Sequence, residues 1–240
     1  MNKYFSFLPS FPRKRESRKI KFKKLDSHFR GNDSTSIKNG KFFRNFYILT
    51  ISSILFSACS FQPVALPQEN TYALTAASQQ QFATKPTAIT LLINTPIANS
   101  AYHNAKMAYA MQPYQIRYFS YNRWVASPTD MLQSVMAESF RNSNYFHAVV
   151  AAPFSGSTNI RLDTQLLDFT QYFHGNSSEF HMALQMTLTD NTTDQILLSR
   201  SFQATVKAPS NNPQGGVIAA NQATQQILNQ AVSAVVSYLK

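Results

Sequence analysis

The sequence predicts an α+β domain: a mixed, largely antiparallel sheet with two long helices packed on one face. Three observations point there. Three segments late in the chain alternate apolar and polar residues with period two. Two others carry apolar stripes at helical spacing. A polar turn, Asp190 to Asp194 (DNTTD), joins the second and third alternating segments as a hairpin does. Strands patterned on one face need cover, and the two striped helices supply it.

Taken in order, Thr71 to Ala77 alternates Tyr72, Leu74 and Ala76, which suits a first strand, and the polar Ser78 to Pro86 suits a loop. Ala88 to Ile97 is a near-continuous apolar run and predicts a buried central strand. Met107 to Tyr121 is aromatic-rich strand material interrupted by Pro113. Pro128-Thr129-Asp130 opens a helix whose inner stripe is Leu132, Val135, Met136, Ser139 and Phe140. Asn144 stands where that helix should stop, because Asn tolerates the left-handed conformation of a helix end. His147 to Pro153 then returns as a short strand.

The alternating segments follow. Ile160, Leu162, Thr164 and Leu166 share one face; Phe180, Met182, Leu184, Met186 and Leu188 form the cleanest period-two run; Ile196, Leu198, Phe202, Ala204 and Val206 complete an antiparallel meander with one wet face. A polar loop, Pro209 to Gly216, leads to a closing helix that runs to about Leu239. Its stripe is Val217, Ala220, Thr224, Ile227, Leu228, Ala231, Val232 and Val235.

The net charge of +11 suggests a nucleic-acid binder until the chain is divided at Cys59. Residues 1–58 hold thirteen Lys and Arg against Glu16, Asp26 and Asp33, a balance of +10. Residues 59–240 hold nine basic and eight acidic residues, a balance of +1. Basic charge argues for nucleic acid only when it sits on the folded domain. No nucleic-acid partner is expected.

Cys59 is the only cysteine, which excludes an intrachain disulfide and a cysteine metal cluster. Before it lies Phe46 to Ala58, thirteen residues without a charge, too short to cross a bilayer as a helix, which needs about twenty. Lys38, Lys41 and Arg44 precede that stretch, and Ser57 and Ala58 lead into the cysteine. Basic flank, short apolar run and small residues make a secretory signal, with cleavage between Ala58 and Cys59. LFSAC resembles a bacterial lipobox, with Phe56 where leucine is usual, so Cys59 is the expected lipidation site, its acyl chains including palmitate. Several chains give a permanent tether where one would be marginal. Ser60 replaces the Asp that commonly retains lipoproteins at the inner membrane, which favours the outer membrane of a two-membrane envelope.

The expected organisation is a signal peptide over 1–58, a lipidated cysteine and tether over 59–70, and one domain over 71–240. Residues 1–33 contain FPRKRESR and LDSHFRGND and resemble a translated dispersed repeat element. A mis-called start, an inserted repeat and a tolerated long n-region all remain open for them.

Catalytic and metal signatures are missing from the sequence. His103, His147, His174 and His181 show no metal-ligand spacing, and no nucleophile-elbow, P-loop or dinucleotide motif occurs. His181 is expected to be solvated. Asp163 and Asp168 are five apart on a strand, which places them on opposite faces. No catalytic residue, cofactor or metal is therefore assigned, and the chain is read as a non-enzyme. Two tracts invite a binding role. Gln115 to Pro128 is dense in aromatics and arginine, a composition enriched at interfaces. Arg117, Tyr121 and Arg123 are its candidate contacts if exposed, while Trp124, the only tryptophan, is read as core. The small-residue tract Gly215 to Thr224 allows close backbone approach, to a partner or within the domain.

The strings TYALT, LLINTPIANSAYHNAKMAY, IRYFSYNRWVASPTDMLQSVMAESFRNSNYF, IRLDTQLLDF and FQATVKAP follow one another in order. Together they resemble the ABC-type transport auxiliary lipoprotein family, the PqiC-type partners of MCE lipid-transport systems, over roughly residues 71–239. The most specific string is Tyr118, Phe119, Arg123, Trp124, Pro128, Met131 and Leu132; Asn144 departs where the family would have glycine. The resemblance implies a non-catalytic, lipid-anchored part of an intermembrane lipid transporter at the periplasmic face of the outer membrane. Its partners would be a periplasmic MCE-domain protein and, through it, an ABC permease and ATPase, with a second copy of the chain as a further candidate. The alternatives are a periplasmic lipoprotein hydrolase and an outer-membrane assembly scaffold unrelated to lipid traffic.

Overall fold

The computed structural model describes residues 67–240. The strands in chain order are β1 (Asn70–Tyr72), β2 (Thr90–Ile93), β3 (Ile97–Ala98), β4 (Lys106–Ala110), β5 (Arg117–Trp124), β6 (Ala148–Ala151), β7 (Ile160–His174), β8 (Ser177–Asp190) and β9 (Ile196–Lys207). The helices are α1 (Pro128–Asn142) and α2 (Pro213–Leu239), with a short 3-10 turn at Ser100–Tyr102.

The alternating segments build the frame. β7 and β8 pair antiparallel from Ile160↔Asp190 to His174↔Ser177, and β9 extends the meander on the other side of β8. The opposite edge of β7 receives three short strands in a row, all parallel to it: β2 near its start, β3 midway and β4 near its end. β6 lies parallel beside β2, β5 antiparallel beside β4, and β1 parallel beside β5. The sheet is mixed, with its longest ladders antiparallel, and it is α+β as the patterning predicts.

The inner face collects Leu91, Ile93, Leu162, Leu166, Phe169, Met182, Leu184 and Leu188, all nearly inaccessible to water. α1 packs near β2 and β6, and α2 covers β8 and β9. Each fully buried Leu or Phe contributes roughly 1.5–3 kcal/mol, so this one shared core supplies most of the cohesion. The α2 stripe is buried as read, apart from the partly buried Val217. In β9 the inward set is weaker than expected: Phe202 is buried, but Ile196 is 67% exposed because the ladder shifts register at Leu188/Thr189.

Helix ends follow local chemistry. Ser127 caps α1 by accepting the Asp130 N–H, with Pro128 preset for the first turn. Asn144 does adopt the left-handed conformation, φ 53°. α2 begins at Pro213, inside the stretch read as a loop, because Asn212 caps it by accepting the Gly215 N–H at 2.9 Å. Gly216 then presses that first turn onto β7: a β-carbon there would collide with the Gln171 side-chain amide. The close approach expected of the Gly215–Thr224 tract is thus made inside the domain.

Two strand expectations shorten. β1 ends at Tyr72, and the N–H groups of Thr75 and Ala76 are taken by the Asn221 side chain of α2 at 2.8 and 3.2 Å instead of by a neighbouring strand. The apolar run from Ala88 to Ile97 divides at Asn94–Pro96, since Pro96 has no N–H for a ladder.

Candidate docking surface

β5 presents the residues that the sequence singled out. Arg117, Tyr121 and Arg123 are all exposed, while Trp124 is 1% exposed with its ring centroid 5.4 Å from Phe169. β1 pairs with β5 only at Asn122, Arg123 and Trp124, so the Arg117–Tyr121 half of this sheet edge keeps unpaired backbone groups. Such an edge is a template for another chain.

Beside β5 lies a shallow cleft of about 430 Å³, lined by Glu69, Lys106, Tyr118, Phe119 and Arg123 among others. Arg123 meets Glu69 at 3.4 Å with both side chains about half exposed, a pair worth about 0–1 kcal/mol. Lys106 stands 5.6 Å over the Tyr118 ring, whose hydroxyl donates to the Ala101 carbonyl. Phe119 stacks on Tyr109 at 4.4 Å, and Phe173 meets both rings edge-on. The aromatic density of this tract is therefore divided: Trp124 belongs to the core, whereas Arg117, Tyr121 and Arg123 face outward.

A second cluster was not legible in the pattern. Between Leu166 and Asp168 the β7 ladder takes up one extra residue, Leu167, which is exposed. That bulge reverses the alternation, so Asp163 and Asp168 share the outer face and are not opposed as the spacing implied. They still form no carboxylate pair. Asp163 accepts from Asn94 and lies 3.5 Å from Arg161. Asp168 accepts hydrogen bonds from Tyr102 at 2.9 Å and Tyr172 at 3.3 Å, and Tyr102 also meets Thr170. Burial first, then the Asp168 charge, pushes the Tyr102 hydroxyl well above its ordinary value, and the same causes raise Tyr172. The one signal in the sequence was the consecutive Leu166-Leu167, where the period-two phase changes.

His181, expected to be solvated, is instead only 33% exposed at its side chain, tilted against the Tyr172 ring and 2.7 Å from the Glu179 carboxylate. His174 lies 3.4 Å from the same carboxylate. Hydrogen bonding to His181 first, and then the two histidines' charges, holds Glu179 below the usual carboxylate range. The His103 Nε2 sits 2.7 Å from the Ala98 carbonyl oxygen. Among the described residues no group of three or more His, Cys, Asp or Glu is placed to hold a metal. No described helix is long and apolar enough to cross a membrane. Cys59 and Ala58 lie outside the described residues.

Comparison with known proteins gives the fold and the family. A Xanthomonas campestris protein of the DUF330 family superposes with a TM-score of 0.64 at 19% identity, over 70% of this chain and 96% of that one. A second solved structure, of an uncharacterized protein, superposes with a TM-score of 0.56 at 13% identity, over 70% and 99%. Among curated proteins none matches. The family model of the ABC-type transport auxiliary lipoprotein component matches residues 72–232, a span from the end of β1 well into α2. The chain belongs to the ABC-type transport auxiliary lipoprotein family.

Proposed function

We propose that this lipoprotein is lipidated at Cys59 and docks an MCE-type intermembrane lipid transporter at the periplasmic face of the outer membrane. The observation that carries the reading is the exposed Arg117, Tyr121 and Arg123 on a partly unpaired strand edge of a transport-auxiliary domain. Tyr and Arg dominate binding hot spots, and truncating one commonly costs about 2 kcal/mol or more of binding. The partner would be the periplasmic MCE-domain protein, and through it the permease and ATPase in the inner membrane. In this role the domain contributes surface and position, not a reactive group.

The test is retention of the partner by the tagged lipoprotein from gently solubilised envelopes. Arg117→Ala, Tyr121→Ala and Arg123→Ala should weaken co-purification while leaving thermal unfolding within about 0.5 kcal/mol of wild type, as surface changes do. Trp124→Ala is the contrasting control: it opens a core cavity and should cost about 3–5 kcal/mol of stability. Wild-type protein that retains no MCE protein, but turns over a lipid or glycan, would replace this reading with the hydrolase alternative.

A further inference from the structure

The strand registers give the domain a polarity. β4 runs parallel to β7, with Ala110 opposite Tyr172, so the β4–β5 turn lies at the same end of the sheet as the β7–β8 turn. The acidic β8–β9 turn, with Asp190 and Asp194, lies at the other end. β1 runs parallel to β5 and begins opposite Asn122, so the chain before Asn70 enters from the end that carries the β4–β5 turn.

That turn is apolar at its tip. Met111 is 58% exposed, Ile116 is 44% exposed, and Tyr114 projects entirely into solvent from a positive-φ backbone, φ 63°. The rings of Tyr109, Phe119 and Phe173 support the base of the hairpin. From Lys106 to Trp124 the chain holds Lys106, Arg117 and Arg123 and no acidic residue. The neighbouring β7–β8 turn, His174 to Ser177, is polar; elsewhere in the domain the exposed apolar residues Val125, Phe154 and Ile196 stand singly, and Ile196 follows the acidic Asp190–Asp194 segment at the far end.

Lengths agree with this polarity. From Asn122 back to Arg117 is roughly 17 Å at about 3.3 Å per strand residue. Cys59 to Asn70 can reach roughly 36–40 Å when extended. The tether from Cys59 is thus long enough for the hairpin tip to meet the membrane that carries the lipid.

We propose that the Met111–Ile116 tip of the β4–β5 hairpin inserts into the lipid interface of the membrane that bears the anchor. This rests on lipid attachment at Cys59, and it makes the tip a second contact that orients the domain. Aromatic and apolar side chains bordered by an arginine suit that interface, where a ring is half solvated and a cation meets anionic headgroups. The far end, with its carboxylates, would face the aqueous periplasm.

The experiment uses the full lipidated chain in vesicles of phosphatidylethanolamine and phosphatidylglycerol, with and without brominated acyl chains. Tyr114→Trp adds a reporter at the tip and Thr192→Trp one at the opposite turn, while the buried native Trp124 gives a constant background. The expected result is a blue shift and several-fold stronger bromolipid quenching for Tyr114→Trp than for Thr192→Trp. Vesicle-bound protein in which both reporters stay equally exposed overturns the tip contact and leaves the anchor standing. Protein that stays in the supernatant overturns the anchor and the tip contact together. A Tyr114→Trp signal that shifts only when envelope proteins are added overturns the lipid contact in favour of a protein one.

Discussion

The Asp168 carboxylate accepts the Tyr102 hydroxyl at 2.9 Å on the outer face of the sheet, and it does so only because Leu167 bulges out of β7. Tyr102 comes from the 3-10 turn between β3 and β4, sixty-six positions away, and is 3% exposed. The contact pins that turn to the middle of the sheet and connects β7 to the segment that leads into the candidate docking hairpin.

Tyr102→Phe keeps the ring and removes the hydroxyl, leaving Thr170 and one lobe of Asp168 without their partner. An unsatisfied buried group costs about 1–3 kcal/mol, so urea unfolding should show a loss in that range. A loss near zero would mean that water replaces the hydroxyl without cost.

Glu179 makes stability depend on pH in a defined direction. Its folded pKa lies below the ordinary 4.5, so it contributes stability that is present above that value and lost as pH falls through the folded one. The advantage of wild type over Glu179→Gln in thermal unfolding should therefore shrink as pH falls below about 4.5. Asp190, also lowered by the backbone N–H groups of Thr193 and Thr192, is common to both proteins and cancels in the comparison. An advantage that stays constant down to pH 3 would contradict the pairing with His181.

Gly216→Ala sets two effects against each other. Helix propensity favours Ala by about 1 kcal/mol, while overpacking against Gln171 costs about 1–3 kcal/mol. Net destabilisation is expected in the wild-type background, and it should shrink or reverse in Gln171→Ala. Equal effects in both backgrounds, measured as a double-mutant cycle, would show that the collision is relieved elsewhere.

The anchor is checked by detergent-phase partitioning. Cys59→Ala should leave protein that no longer follows membranes, and a chain starting at Ile37 should be exported and lipidated as well as the full one. Tight membrane binding by Cys59→Ala would remove the lipoprotein assignment from Cys59, and failure of the shorter chain would give residues 1–36 a role.

The sequence by itself determined which residues face the core wherever a single period governed a whole segment. Phe180 through Leu188, the α1 stripe with its Pro128-Thr129-Asp130 start and Asn144 stop, and the division of charge at Cys59 were all readable because each depends on neighbours within a few positions. Family membership was readable for the same reason, as ordered local strings. Tertiary structure alone decided the rest. The bulge at Leu167 places Asp163 and Asp168 on one face, and Asn221 of α2 replaces a strand beside Thr75 and Ala76. The three short strands line up along one edge of β7, and β1 enters beside β5. Those arrangements are set by which backbone groups find partners across distant positions, and local periodicity holds no record of that pairing. The exposure of Arg117, Tyr121 and Arg123 belongs to the same class, since a strand that alternates weakly reveals its outward face only when its neighbours are in place.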